Sequence, residues 1–138
     1  MKPNYRFSMT GDAFEFLAPA SAEPGLILIC DHASNALPQD RAGLGLDPPQ
    51  LASHIAYDIG AAVVTRALAA RFGAAAVLAR WSRLLIDLNR GEDDPTLVMK
   101  LSDGAIIAGN RAAGAAEIAR RVALYHAPYH ARIEAEIA

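Results

Sequence analysis

The sequence predicts an α/β fold, a mostly parallel or mixed sheet flanked by helices in three layers, and three observations carry that reading. The run LILIC at Leu26 to Cys30 is apolar at every position, which suits a strand covered on both faces. A second short apolar run, AAAVLA at Ala74 to Ala79, has the length of another strand. Between and after them lie stretches with apolar residues every three or four positions, the period of an amphipathic helix. Strands alternating with helices imply layers of helix on sheet.

Taken in order, residues 1–24 mix turn formers with a few aromatics and end in APASAEPG, an irregular lead-in to the strand. The next helix is announced by DPPQ. Asp47 is placed to cap free N–H groups, and Pro48 gives up an N–H that the first turn leaves unpaired in any case. The spacing of Leu51, Ile55, Ile59, Ala62 and Val63 carries one helix to about Phe72, where Gly73 stops it. On that helix Asp58 points within about 20° of Leu51, toward the protein. After AAAVLA comes RLLIDL, a third strand candidate, and then the loop NRGEDDPTL. From about Arg111 the helical rhythm returns at Ile118, Val122, Tyr125, Tyr129 and Ile133, with a bend expected at Pro128, which leaves the Leu124 carbonyl without its donor. The last residues, RIEAEIA, keep that rhythm with no glycine cap and no following strand, so the reading is one domain over residues 1–138 that is either frayed at its end or the front part of a longer fold.

Composition narrows the function. With 53% hydrophobic and 20% charged residues and a net charge of -2, nothing calls for a nucleic-acid partner. No stretch approaches eighteen uninterrupted apolar residues and the N-terminus has no apolar signal core, so neither a membrane partner nor export is expected. The single cysteine, Cys30, cannot form an intrachain disulfide and fits a core position in a cytoplasmic protein.

In open α/β sheets, ligands bind beyond the carboxyl ends of strands, where a strand ending at Cys30 places Asp31, His32, Ser34 and Asn35. A neutral imidazole suits a divalent transition metal, and a nearby acid either joins the coordination or fixes the ring's tautomer. The plainer alternative is a turn cap before Pro38. Asp58 is open to a metal role or to an ion pair with His54, four residues earlier. His126 and His130 share the i, i+4 spacing that can chelate zinc, without the glutamate that usually accompanies it. In SRLLIDLNR, Arg83, Asn89 and Arg90 offer guanidinium forks and a neutral amide, the chemistry for gripping a carboxylate, against the alternative of surface pairing to Glu92 or Asp93. The turn CDHASNA has no glycine to bring backbone N–H groups against a phosphate, which argues against a nucleotide site.

Five stretches in this order, CDHASNALP, HIAYDIG, SRLLIDLNR, the GN of IIAGNR and YHAPYH, resemble the N-formylglutamate amidohydrolase family from about Leu26 to Ile137. The resemblance implies a phosphorylase/hydrolase-like fold related to the zinc carboxypeptidases and a zinc-type hydrolase that cleaves N-formyl-L-glutamate to formate and glutamate, a reaction of histidine degradation. It implies His32 as first metal ligand, with Asp58 or Asp31 beside it, Asn89 and Arg90 as carboxylate binders supported by Arg83 and Asn110, and His126 or His130 handling protons. It departs from the carboxypeptidases three residues after His32, where Asn35 stands in place of a ligating glutamate. Family members carry further active-site residues after the YHAPYH segment. The competing expectation is therefore a carboxylate-binding module of the same fold without catalysis, and a homo-oligomer is expected to cover surface that a missing half would leave open.

Overall fold

The computed structural model describes residues 13–20 and 25–138, so residues 1–12 and 21–24 of the lead-in lie outside the described residues. It is mixed α/β. A three-stranded sheet runs β1 (Phe14–Leu17), β3 (Ala75–Ala79), β2 (Ile27–Cys30) in spatial order. β1 is antiparallel to β3, pairing Phe14 with Ala79, whereas β2 is parallel to it, pairing Ile27 with Ala75. The described part of the lead-in is thus no irregular stretch: FEFL forms a sheet edge.

β3 is the strand buried throughout. Its residues alternate in direction, as strand geometry requires. Val77 and Ala79 pack with Tyr129 and Ile133 of helix α4 (Ala127–Ile137), while Ala76 and Leu78 pack with Ala69 of helix α2 (Ala61–Phe72) and with Cys30. β2, expected to be covered on both faces, instead forms an edge among the described residues, with Ile29 44% exposed.

The helix expected from Pro48 to Phe72 is two helices. Asp47 does cap the first, α1 (Pro48–Leu51): its carboxylate accepts from the Gln50 N–H at 2.8 Å while the Gln50 side chain accepts from the Asp47 N–H at 3.1 Å. The chain then leaves helical geometry. Ser53 turns its hydroxyl back to the Gln50 carbonyl, the Asp58 N–H donates to the His32 carbonyl at 2.9 Å, and Gly60 adopts φ +87°, open to glycine and strained for other residues. The predicted stripe breaks with it. Ile55 is buried in a cluster with Leu44, Ala56, Leu84, Met99 and Ile107, but Ile59 and Val63 are exposed.

RLLIDL is not a strand. Leu84, Leu85, Ile86 and Leu88 are buried, yet the segment runs as successive turns. Buried backbone groups need partners, and these find them one at a time. The Asp87 N–H donates to the Leu97 carbonyl, the Ser82 N–H to the Ala36 carbonyl, and the Leu84 and Leu85 carbonyls accept from the side chains of Asn110 and Arg121. A short hairpin, β4 (Leu101–Ser102) and β5 (Ala105–Ile106), leads to a 3-10 turn at Ala108–Asn110.

The C-terminal helical segment comprises α3 (Ala115–Arg121), a π turn at Val122–His126, and α4. The π turn replaces the expected simple proline bend. The Ala127 N–H reaches back five residues to the Val122 carbonyl, and Pro128 follows at the start of α4, where a missing N–H is tolerated. No helix among the described residues is long and apolar enough to cross a membrane.

Gly109 has a packing reason to be glycine. A Cβ there would stand 2.7 Å from Leu44 Cα and 3.0 Å from its carbonyl carbon, and Leu44 is itself buried at φ +54°. Gly109→Ala is expected to lower stability by about 1–3 kcal/mol through forced backbone movement. An unchanged thermal midpoint would show that the contact opens freely.

Candidate active site

The site begins where β2 ends. Cys30 is the last strand residue, and the turn that follows presents Asp31 and His32. His32 is buried and held between two carboxylates: its Nε2 lies 2.7 Å from Asp87 Oδ1 and its Nδ1 lies 3.4 Å from Asp58 Oδ2. A carboxylate only accepts, so the Nε2–H donates to Asp87, and in the neutral ring the lone pair sits on Nδ1, on the side of Asp58.

Asp87 is the hub. It is fully buried, and its two oxygens accept from His32, from the Asn89 N–H at 3.0 Å and from Arg83 Nη2 at 2.9 Å. Burial alone would push its carboxyl upward, but the His32 and Asn89 hydrogen bonds and the charges of His32 and Arg83 outweigh that and hold its pKa below the usual carboxylate range. The hydrogen bond to Asp87 in turn raises the His32 pKa above the ordinary imidazole range, against the opposing pull of burial. No role for Asp87 follows from the spacing of the sequence. The available signal was an acid inside an otherwise apolar run, which demands a partner once buried.

Two open hollows adjoin the hub. One, of about 580 Å³, contains His32, Asp58, Cys30, Val64 and Thr65; the other, of about 430 Å³, contains Arg90, Leu88, His126, His130 and Ile133. Ile29, Asp31 and Asn89 line both, so the two meet along that ridge. The hollow with the expected metal residues and the hollow with the expected carboxylate residues therefore adjoin each other.

Other expected residues are placed as follows. Asp58 reaches His32 from the loop before α2, with its side chain 57% exposed, rather than from a buried helical stripe. His54 does not pair with it; His54 Nε2 lies 2.9 Å from Asp103, both exposed. Asp31 accepts a hydrogen bond from the buried Tyr129 hydroxyl at 2.7 Å, and burial followed by that carboxylate pushes the Tyr129 pKa far up, so the phenol stays protonated. Arg83 is committed to Asp87 and lines neither hollow. Arg90 is exposed and loosely held, 4.0 Å from Asp87 and 4.0 Å from Asp94, with no ion pair to Glu92 or Asp93. Cys30 has its thiol raised by burial, as a core residue would.

Asn110 stands apart from this group. It is fully buried, its amide donates to the carbonyls of Leu84 and Met99, and its oxygen accepts from Arg121 at 2.7 Å, so its hydrogen-bonding atoms are already taken inside the fold. His126 and His130 are likewise committed at one nitrogen each: their Nε2 atoms lie 2.8 Å from the Arg90 carbonyl and 2.9 Å from the Leu88 carbonyl.

The donor set for a metal is partial. His32 Nδ1 and Asp58 converge, but among the described residues no group of three or more His, Cys, Asp or Glu side chains is arranged to hold an ion, whereas a catalytic zinc takes three protein ligands.

The fold has relatives among solved structures. The gene product Atu2144 of Agrobacterium tumefaciens superposes with a TM-score of 0.86 at 36% identity, covering 92% of this chain and 50% of that one. N-formylglutamate amidohydrolase from Ralstonia eutropha JMP134 gives a TM-score of 0.69 at 24% identity, with 91% of this chain and 50% of that chain covered, a likeness of fold. The chain thus spans about half the length of the solved structures it matches. No curated protein matches it. The model of the N-formylglutamate amidohydrolase family matches residues 25–138, nearly the whole described chain, and the chain belongs to that family.

Proposed function

We propose that this chain carries the first part of an amidohydrolase site that cleaves N-formyl-L-glutamate, or a similar N-acyl amino acid, to a carboxylic acid and the free amino acid. The observation that supports the reading is the Asp87 hub, which ties His32 at the end of β2 to the Asn89–Arg90 segment, so that the edge proposed to bind metal adjoins the edge proposed to bind a carboxylate at Ile29, Asp31 and Asn89. A substrate with its α- or side-chain carboxylate on Arg90 and Asn89 would lay its acyl amide across that ridge toward His32. With so small an acyl group, the carboxylate grip supplies most of the positioning.

In this proposal zinc, or another divalent transition metal, is held by His32 Nδ1 and Asp58, with the remaining protein donor outside the described residues. Such an ion supplies an acidified water and a polarised carbonyl. The chain's own residues orient the parts: Asp87 fixes the His32 tautomer, Tyr129 holds one oxygen of Asp31, and Arg83 balances the Asp87 charge. The three-layer phosphorylase/hydrolase-like architecture belongs to the same proposal, as do a soluble cytoplasmic setting and assembly with a second copy.

The shortage of donors supports a second reading, a carboxylate-binding module without catalysis. Zinc content of protein purified without chelator separates the two. Near-stoichiometric metal that disappears in His32→Ala supports the hydrolase, and metal-free protein that still binds glutarate supports the module. In either reading Arg90→Lys keeps the charge but loses the two-pronged fork, and is expected to weaken binding of N-formyl-L-glutamate or glutarate by about 1.5–3 kcal/mol with folding intact. Calorimetry showing equal affinity for both proteins would remove Arg90 from the site.

A further inference from the structure

We propose that His126 and His130 are positioning residues: they anchor the backbone that presents Asn89 and Arg90, and they do not react with substrate. The inference rests on the carboxylate grip proposed above and gives it a mechanical support.

The segment from Leu84 to Leu88 is largely apolar, like a strand, but pairs with no strand among the described residues, and several carbonyls from Leu84 to Arg90 accept from side-chain donors instead. Three of those donors come from one continuous helical rod. Arg121 Nη1 donates to the Leu85 carbonyl at 2.8 Å, His130 Nε2 lies 2.9 Å from the Leu88 carbonyl, and His126 Nε2 lies 2.8 Å from the Arg90 carbonyl. A carbonyl only accepts, so both imidazoles carry their proton on Nε2 in these bonds. The two histidine bonds bracket Asn89, which lines both hollows together with Ile29 and Asp31.

The π turn explains how one rod reaches all three carbonyls. In a regular α-helix, residues 121 and 126 would point about 140° apart. A π turn closes its hydrogen bonds between residues five apart and brings such a pair toward one face. The Ala127 N–H to Val122 carbonyl bond is of this kind, and α spacing then places His130 one turn beyond His126 on the same side, their ring centres 4.4 Å apart. Pro128, with no N–H to restore the regular bond to Leu124, favours the wider turn. With Nε2 of each ring held by a backbone carbonyl, the i, i+4 pair is unsuited to chelation through those atoms.

The test compares His126→Leu and His130→Leu with His126→Gln and His130→Gln, because a glutamine amide offers an N–H at a reach similar to Nε2 and leucine offers none. Two quantities are read: hydrogen exchange of the amides at residues 88–91, and glutarate affinity by calorimetry. The leucine variants are expected to speed exchange and weaken glutarate binding by about tenfold each, and glutamine to restore most of both. Leucine variants that match wild type in exchange, or glutamine variants as impaired as leucine ones, would overturn the proposal, the latter by showing that the ring itself is needed. Should a leucine variant fail to fold, nitrogen-15 spectra of the wild-type imidazoles decide, since protons on Nδ1 instead of Nε2 would overturn it equally. If Arg90→Lys leaves glutarate affinity unchanged, the carboxylate grip fails, while the exchange measurement still decides whether the two histidines anchor the segment.

Discussion

Asp87→Ala is expected to remove about 3–5 kcal/mol of folding stability, the range for stripping one partner from a buried ionic cluster. The substitution leaves the His32 N–H, the Arg83 guanidinium and the Asn89 N–H without their shared acceptor, in a place with no access to water for Asp87 itself. Set against the 5–15 kcal/mol typical of a domain, that is a large fraction. Asp87→Asn keeps an acceptor oxygen and loses the charge, and should cost less, about 1–3 kcal/mol. Urea unfolding at constant slope measures both. An Asp87→Ala protein as stable as wild type would mean that the hub is a coincidence of packing.

The same hub imposes a pH signature on the metal-free protein. Asp87 has its pKa lowered on folding, so its contribution is present above the ordinary carboxylate range and is lost as pH falls through the lowered value. His32 has its pKa raised, so its contribution is full below the ordinary imidazole range and is lost as pH rises through the raised value. The difference in stability between wild type and Asp87→Ala should therefore peak at mildly acidic pH and shrink on both sides. A difference independent of pH would show that charge plays no part in it.

The parts of the fold that the sequence disclosed are those where one local signal decides. AAAVLA is a buried strand because small and β-branched apolar residues at every position suit a strand covered on both faces, and Asp47 caps α1 because the acid, the proline and the glutamine stand at the required offsets. What failed were inferences that extended a pattern through a hidden break. The stripe from Leu51 to Val63 has helical spacing, yet the bond from Asp58 to the His32 carbonyl and the left-handed Gly60 interrupt it. RLLIDL has the composition of a strand, but its partners are side chains 26 and 36 residues away, which no window of local sequence contains. FEFL was hidden by the turn formers around it.

Site residues divide along a similar line. The end of an apolar strand pointed to His32, and the polar cluster after RLLI pointed to Asn89 and Arg90; His32 lines the first hollow, Arg90 the second and Asn89 both. Asp58 also lines the first hollow, by a loop that the helical reading did not contain. Asn110 was beyond reach because its neighbours are set by tertiary contacts: its amide is spent on Leu84, Met99 and Arg121. Asp87, visible in the same SRLLIDLNR cluster, was given no role for the opposite reason, since a fully buried side chain shows in sequence only as an unexplained charge in an apolar run.

That contrast leads to Arg121, the other fully buried charge in this region, at 1% exposure. Its Nη1 donates to Asn110 Oδ1 and to the Leu85 carbonyl, and its Nε donates to Glu117 Oε1 at 2.8 Å. Arg121→Met preserves much of the volume and the apolar stem but leaves two buried acceptors with nothing to accept, and each such group costs about 1–3 kcal/mol. We expect a total loss of about 3–5 kcal/mol, together with faster hydrogen exchange across residues 84–88. Glu117→Gln is the informative control. Glu117 lies nearer the surface and keeps its side chain close to Arg41 and Arg120, so weakening its ion pair with Arg121 should cost under about 1 kcal/mol. If the two variants instead lose stability equally, the salt bridge rather than the internal acceptors is what Arg121 provides. The segment carrying Asp87, Asn89 and Arg90 would then draw its rigidity from the Asp87 side chain, its backbone bond to Leu97, Asn110 and the two histidines, without Arg121.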